Sequence, residues 1–252
     1  MDKQRHAGTT ALVTGAGSGI GRATVLRLVA EGARVVGCDV NPDGLAETSR
    51  LLDEAGLSFD AVVADITEQA DVDAFVARAG ERVDLLANVA GIMDHFAPLD
   101  EVTDELWAKV LAVNLDGPMR LTRAVLPAMR AAGSGAVVMV GSEASLRGGS
   151  AGVAYTSSKH GLIGMVQHVA YFYGPAGVRC NAVLPGPVAT GIAASATPVA
   201  QWALERAVAS MGVMGPIAQP DDIATVVSWL GCAEAANVNG AVVAADGGWS
   251  AA

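Results

Sequence analysis

Tyr155 and Lys159 stand four residues apart in the segment YTSSKH, in a chain that has only three tyrosines and three lysines. Side chains four apart are neighbours on one face of a helix, so this spacing puts an ammonium beside a phenol. A free tyrosine, with a pKa of about 10, is a poor base at neutral pH. A cation about 4 Å away, at an effective dielectric of about 20, stabilises a phenolate by about 4 kcal/mol. That is up to about 3 pKa units before burial opposes it. The pattern therefore predicts a tyrosine whose pKa is lowered toward the working pH, where a general acid and base acts best. Taken alone, the same spacing also describes an ordinary surface pair.

A second group of residues points to phosphate. TGAGSGIG, residues 14–21, places Gly15, Gly17, Gly19 and Gly21 around Ser18 and Ile20 at the entry to a predicted helix. Backbone without side chains can approach a pyrophosphate closely, and a helix N-terminus offers unpaired N–H groups and a positive dipole end. A tight strand-to-helix turn would also use glycine here, although four glycines exceed what a turn needs. Asp39, followed by Val40, lies 18 residues past Gly21, where a carboxylate is placed to accept hydrogen bonds from an adenosine ribose. The same charge repels a 2′-phosphate, and no Arg or Lys lies between Gly15 and Gly21, so the pattern favours NAD over NADP. A helix-capping aspartate before NPDG is the alternative reading of Asp39.

Joined together, these segments resemble the short-chain dehydrogenase/reductase family in its shorter single-domain form, over roughly residues 9–248. TGAGSGIG is similar to the family's TGxxxGxG cofactor loop. Asp65, followed by Ile66 in VADIT, matches the aspartate after the third strand that contacts adenine. NVAG, residues 88–91, matches NNAG with Val89 in place of the second asparagine, leaving Asn88, Ala90 and Gly91 at the cofactor positions. Asn114 in VNLDG matches the catalytic asparagine, and Ser142, 13 residues before Tyr155, matches the catalytic serine. PGPVAT, residues 185–190, matches the PG motif through Pro185, Gly186, Val188 and Thr190, the last expected on the nicotinamide carboxamide.

The resemblance implies an NAD-dependent oxidoreductase that interconverts a secondary alcohol and its ketone. Tyr155 would be the general acid and base, and Lys159 would lower its pKa and bind the nicotinamide ribose. Ser142 would hold the substrate oxygen, and Asn114 would hold a water linking Lys159 to solvent. The hydride chemistry itself belongs to the cofactor. Asn114 in mid-helix also reads as a helix-bending polar residue.

Such residues need a frame that brings them together. Apolar runs at 10–15, 33–39, 58–65, 83–91, 135–142, 177–186 and 240–248 read as strands. Segments with helical apolar spacing fall between them at 20–32, 45–56, 68–80, 104–129, 154–173 and 219–231. This alternation predicts an α/β fold: one Rossmann-like, doubly wound sheet of seven parallel strands with helices on both faces. No linker or repeat divides the chain, so residues 1–252 are read as one domain, with an Ala-rich irregular lid at about 188–218.

Composition excludes several classes. No run of about 18 apolar residues is present, so no membrane span is expected. The start, MDKQRHAGTT, lacks the apolar core of a secretory signal. Three scattered cysteines, Cys38, Cys180 and Cys232, read as reduced thiols of a cytoplasmic protein. The four histidines form no ligand cluster, so no metal is expected. A net charge of -10 argues against nucleic acid and anionic membranes.

The partner is read as a small to medium alcohol or ketone. Candidate pocket residues are His95, Glu143, Pro187, Val188 and Trp202, with Met211 and Met214 in the lid; His95 and Glu143 could equally be exposed loop residues. An NADPH-type ketoreductase of 3-oxoacyl substrates is an alternative, disfavoured for carrier-protein substrates because 160–178 has no Lys or Arg. A non-catalytic NAD-binding regulator is another, but it would be expected to have lost Ser142, Tyr155 or Lys159. On the predicted helix 154–173, the face opposite Tyr155 carries Ser157, His160, Gly161, Gly164, His168, Tyr171 and Phe172, without a charge. Helical glycines cost about 1 kcal/mol each relative to alanine, and close packing by a second subunit would explain them. The resemblance implies a homotetramer.

Overall fold

The computed structural model describes residues 4–194 and 197–251. Seven strands form one sheet: β1 (Thr10–Thr14), β2 (Arg34–Asp39), β3 (Asp60–Val63), β4 (Leu85–Asn88), β5 (Gly135–Val140), β6 (Val178–Pro185) and β7 (Val242–Ala245). Their order is β3-β2-β1-β4-β5-β6-β7, and every pairing is parallel. After β3 the chain crosses back over β1 to begin β4, so the strand order reverses between β1 and β4. A crevice opens at such a switch point, beyond the carboxyl ends of the strands.

The strands are short apolar runs because both faces are covered. In β1, Ala11 and Val13 face one layer and Leu12 the other, and none of the three has exposed surface. Burying a valine or leucine contributes about 1.5–3 kcal/mol each. The Ala11 and Val13 layer is closed by α1 (Gly19–Ala30), α2 (Pro42–Asp53) and α9 (Pro220–Gly231). The Leu12 layer is closed by α3 (Gln69–Arg78), α5 (Gly117–Ala132) and α6 (Val153–Tyr173).

Two expected elements differ. The helix expected over 104–129 is α4 (Asp104–Leu111), a π-helical turn (Ala112–Asp116) and then α5. Pro118 is part of the cause: it has no N–H for the carbonyl of Asn114, four residues back. The segment expected to be irregular holds α7 (Gly191–Ala194) and α8 (Gln201–Met211). QWALERAVASM is rich in good helix formers, and the glycines and prolines that made the region read as irregular lie on either side of it. Residues 195–196 of that segment lie outside the described residues. Among the described residues, no helix is long and apolar enough to cross a membrane.

At the amino-terminal edge of the sheet a buried polar cluster ties α1 to α9. Arg27 pairs with Asp221 at 2.5 Å and with Glu31 at 3.3 Å. His6 Nε2 lies 3.1 Å from the carbonyl of Ser228, whose hydroxyl donates to Glu31. His6 and Glu31 are each 1% exposed. Burial lowers the His6 pKa, outweighing its hydrogen bond to Ser228 and the charge of Glu31. The folded state therefore prefers neutral His6, and unfolding takes up a proton as pH falls below the ordinary histidine value of about 6.5. The urea midpoint should fall from pH 7.5 to 5.5, and His6→Gln should show a smaller fall. Equal pH dependence in the two proteins would show that His6 does not carry it.

Candidate active site

The crevice at the switch point is a cleft of about 820 Å³. Its walls include Gly15, Ser18, Gly19, Ile20 and Gly21 from the first loop, Asp39 and Val40 after β2, and Asp65 and Ile66 after β3. Ala90, Gly91 and His95 after β4 and Thr190 after β6, all expected, line it too. Cys38, Ala64, Val89, Ile92, Met93, Leu106, Lys109, Val113, Gly191 and Ile192 also line it; only their neighbourhood to the motifs could have marked them in the sequence.

Glycine is required in the first loop by contact. A Cβ on Gly21 would lie 1.9 Å from the carbonyl oxygen of Gly15, so any other residue would push α1 off the loop. A Cβ on Gly17 would lie 2.9 Å from Asp39 Oδ2, the atom that accepts the Gly17 N–H at 3.0 Å. Asp39 Oδ1 accepts the Asn41 N–H at 2.9 Å. The carboxylate is thus anchored at the cleft edge by two backbone amides, and its remaining lone pairs are open to a ligand. Arg22 is committed beneath the loop, to the carbonyls of Gly17 and Gly44 and the Thr48 hydroxyl. Thr14, which the sequence reading did not single out, joins the ends of β1 and β4: its hydroxyl accepts from Val89 N at 2.9 Å and Ala90 N at 3.0 Å. Val89 therefore supplies its backbone at this point, and its side chain packs in the core.

The other expected residues lie around and beneath this wall. Asn88 is 3% exposed, with its amide toward Thr122 and Met139 rather than into the cleft. Asp65 Oδ1 accepts from the backbone and hydroxyl of Thr67. Pro185 ends β6, and Gly186 packs on Asp246, where a Cβ would lie 2.9 Å from its Cα. Pro187 accepts the Ala218 N–H, and Val188 pairs with Ala218, which turns Thr190 toward Gly19.

Tyr155 and Lys159 lie on the buried side of α6, 8% and 3% exposed. The Lys159 ammonium is 5.4 Å from the centre of the Tyr155 ring and donates to the Val140 carbonyl at 2.9 Å. Ser142, two residues past β5, lies close enough to the phenol to pull its pKa down. Gly91 joins this group to the cleft: a Cβ there would lie 3.5 Å from Lys159 Nζ and 3.4 Å from Asn114 Oδ1.

Three expectations are corrected by this geometry. Burial pushes the Tyr155 phenol up to about 12, with nearby Ser142 opposing and the Asp94 charge adding to the rise. Burial also brings Lys159 down to about 8. Desolvation outweighs the attraction expected from sequence, so this state holds a protonated phenol. Second, the Asn114 amide is not open to a water. It accepts from Ile92 N and donates to Ile92 O, both at 2.9 Å, and lies 3.2 Å from Ser158 Oγ. Third, Glu143 and Trp202 do not line the cleft. Glu143 is buried against Arg147, 3.4 Å away, and the Trp202 indole donates to Glu101 at 3.0 Å.

A dinucleotide fits this cleft: it offers a glycine loop at a helix N-terminus, an anchored carboxylate, and a Tyr–Lys–Ser group behind one wall. A family model described as enoyl-(acyl carrier protein) reductase matches residues 15–250. The chain is 42% identical over 252 residues to a short-chain dehydrogenase/reductase of Talaromyces verruculosus, covering 95% of this chain and 96% of the relative.

The chain belongs to the short-chain dehydrogenase/reductase family.

It is also 34% identical over 261 residues to a 3β-hydroxysteroid dehydrogenase of Eggerthella lenta, covering the whole of both. Among solved structures it is similar to levodione reductase, with a TM-score of 0.90 and 35% identity over 98% of this chain and 100% of that one. A Beutenbergia cavernae protein put forward as an NAD(P)-dependent gluconate 5-dehydrogenase, solved with NADP bound, has a TM-score of 0.88 and 37% identity over 99% and 100%. Membership makes the chain an oxidoreductase that binds a nicotinamide cofactor and acts on small molecules.

Proposed function

We propose that the chain is an NAD-dependent oxidoreductase that interconverts a secondary alcohol and its ketone, with Tyr155 as general acid and base. The observation that carries this reading is the Tyr155 phenol, near Ser142 and beside the Lys159 ammonium, behind the wall of the cleft. A bound nicotinamide cofactor would supply the hydride carrier and, when oxidised, a further positive charge. Ser142 holds the substrate oxygen, and the phenol gives its proton to that oxygen in reduction or accepts one in oxidation. Lys159 orients the ribose and lies on the proton path. Asn114, whose amide is spent on Ile92, would hold a relay water through its main-chain carbonyl, which Pro118 deprives of the ordinary helical donor. The segment 188–218 acts as the lid. It is held to the loop after β4 through Val199 N to His95 O and through Trp202 to Glu101. His95, Met93 and Leu106 give the substrate end an apolar lining with one polar handle. The 3β-hydroxysteroid dehydrogenase relative supports a secondary alcohol on a ring.

The anchored Asp39 carboxylate supports NAD. NADP would bring a 2′-phosphate against a charge whose backbone bonds prevent its withdrawal. The NADP-bound neighbour supports the other cofactor, so the choice is made by measurement. NAD should be preferred by at least about a hundredfold in kcat/KM, about 3 kcal/mol, the scale of an unpaired charge at a binding site. Asp39→Ala should narrow the gap chiefly by weakening NAD. Equal use of both cofactors by the wild type would remove the role given to Asp39.

A panel of secondary alcohols with NAD, followed by NADH absorbance, tests the activity. On the best substrate, Tyr155→Phe should lower kcat at least about a thousandfold, by removing proton transfer and an alkoxide hydrogen bond. NAD affinity should stay within a few-fold, because Tyr155, although expected among the cofactor-binding residues, supplies one contact beside the glycine loop, Asp39 and Lys159. A variant that keeps a tenth of wild-type turnover would show that another group moves the proton.

Assembly as a homotetramer is supported by the outer face of α6. Tyr171 and Phe172 are 78% and 63% exposed there, and a Cβ on Gly164 would touch nothing within 4 Å. Gly164→Arg should leave the subunit folded but separate this interface. Size-exclusion chromatography with light scattering decides it: a monomeric wild type, or an intact tetrameric variant, would overturn the assembly.

A further inference from the structure

Asp94 belongs to none of the motifs above, yet its side chain has no exposed surface. A buried carboxylate is tolerated only with hydrogen-bond partners, and both of its oxygens have one. Oδ1 accepts the Gly152 N–H at 3.0 Å, and Oδ2 accepts the Tyr155 N–H at 2.8 Å. Gly152 is the N-cap of α6 and has no side chain with which to cap it. Asp94 therefore does from 58 residues away what an N-cap side chain does locally. Its charge also lies at the positive end of a 21-residue helix.

The surrounding backbone is shaped to this contact. A Cβ on Gly152 would lie 2.5 Å from Asp94 Oδ2 and from Ala97 N. Ala97 donates its N–H to the Asp94 carbonyl at 3.1 Å and accepts the Val153 N–H at 3.0 Å. Between them, His95 and Phe96 have φ of 57° and 55°. Two successive non-glycine residues adopt left-handed backbone only where their surroundings impose it.

We propose that Asp94 is a positioning residue for proton transfer: through the amides of Gly152 and Tyr155 its carboxylate sets the first turn of α6, and so the place of the Tyr155 hydroxyl against Ser142. This rests on the reading of Tyr155 as the proton-transfer group. Asp94 has a second effect through its charge, which lies against the Tyr155 backbone and opposes ionisation of its phenol. Its own carboxyl is raised by burial, against the pull of the two amides. The titratable groups nearest it on the surrounding elements are Tyr155 and Lys159 on α6, Glu143 after β5, His95 beside it, and Asp104, Glu105 and Lys109 on α4; His160, His168, Tyr171 and Tyr173 lie farther along α6. Of these, Glu143 is engaged with Arg147, and the three on α4 are exposed.

Asp94→Asn keeps the size and one acceptor but removes the charge; Asp94→Ala removes both. In Asp94→Ala, amide exchange over residues 152–155 should accelerate at least about tenfold, with the rest of α6 unchanged. The turnover number should fall about a hundredfold, as for a misplaced reacting group. NADH affinity, read by fluorescence, should stay within about threefold, since the cofactor wall does not use Asp94. In Asp94→Asn, ionisation of Tyr155 should move to lower pH, because the opposing charge has gone. It is read as the tyrosinate absorbance missing from a matching Tyr155→Phe protein. If exchange over 152–155 is unchanged in Asp94→Ala and Tyr155 ionises at the wild-type pH in Asp94→Asn, the proposal is overturned. Should Asp94→Ala fail to fold, the ionisation in Asp94→Asn decides alone. Exchange, NADH binding and tyrosine ionisation need no substrate. A wild type that oxidises no alcohol would therefore undo the proposed activity while leaving these readings of Asp94 intact.

Discussion

All seven strands run parallel, and this constraint is the one on which the site depends. Parallel pairing delivers every strand's carboxyl end to the same edge of the sheet, so the loops after β1, β2, β3, β4, β5 and β6 emerge together. The reversal of strand order between β1 and β4 parts these loops and opens the cleft. Residues as far apart in the chain as Gly15, Asp39, Asp65, Gly91 and Thr190 then line one wall or another of a single volume. Thr14 reinforces this point by bonding β1 to the start of the loop after β4.

Within that frame, close approach and burial do most of the work. Gly21 against Gly15 and Gly17 against Asp39 leave no room for a Cβ, so the first loop can lie flat on the strand ends and present its amides. The same tight packing dries the Tyr155–Lys159 pair. Desolvation raises the phenol and lowers the ammonium, each toward its neutral form. The chain alone thus keeps Tyr155 protonated and ready to donate. Ionising it calls for positive charge beyond that of Lys159.

The polar groups that hold the site together are mostly backbone groups bound by buried side chains, of which Asp94 alone lies outside the recognised motifs. Asn114 clamps both polar groups of Ile92, Lys159 holds the end of β5 through Val140, and Asp94 holds the start of α6. Asn114 ties the loop after β4 to the helical turn that follows it, Lys159 ties α6 back to β5, and Asp94 joins the loop after β4 to the helix that follows β5. The reacting side chains are therefore held by several separate stretches of chain at once, which is the condition for a fixed proton-transfer geometry.

The sequence by itself determined the alternation of strand and helix, the glycine loop, Asp39, and the Tyr155–Lys159–Ser142 group. Hydrophobic period, glycine spacing and residue chemistry are local and can be read along the chain. It also showed the uncharged outer face of α6. Only the tertiary structure decided which way the Tyr155 proton equilibrium leans, because charge attraction can be guessed from a four-residue spacing but desolvation depends on everything packed around the pair. It alone showed that the Asn114 amide is spent on Ile92, that Glu143 turns to Arg147, and that α8 is a helix rather than an irregular stretch. Asp94 was invisible in sequence for the same reason. An aspartate in MDHF looks like any loop carboxylate until the chain returns, 58 residues later, to lay the amide of Gly152 against it.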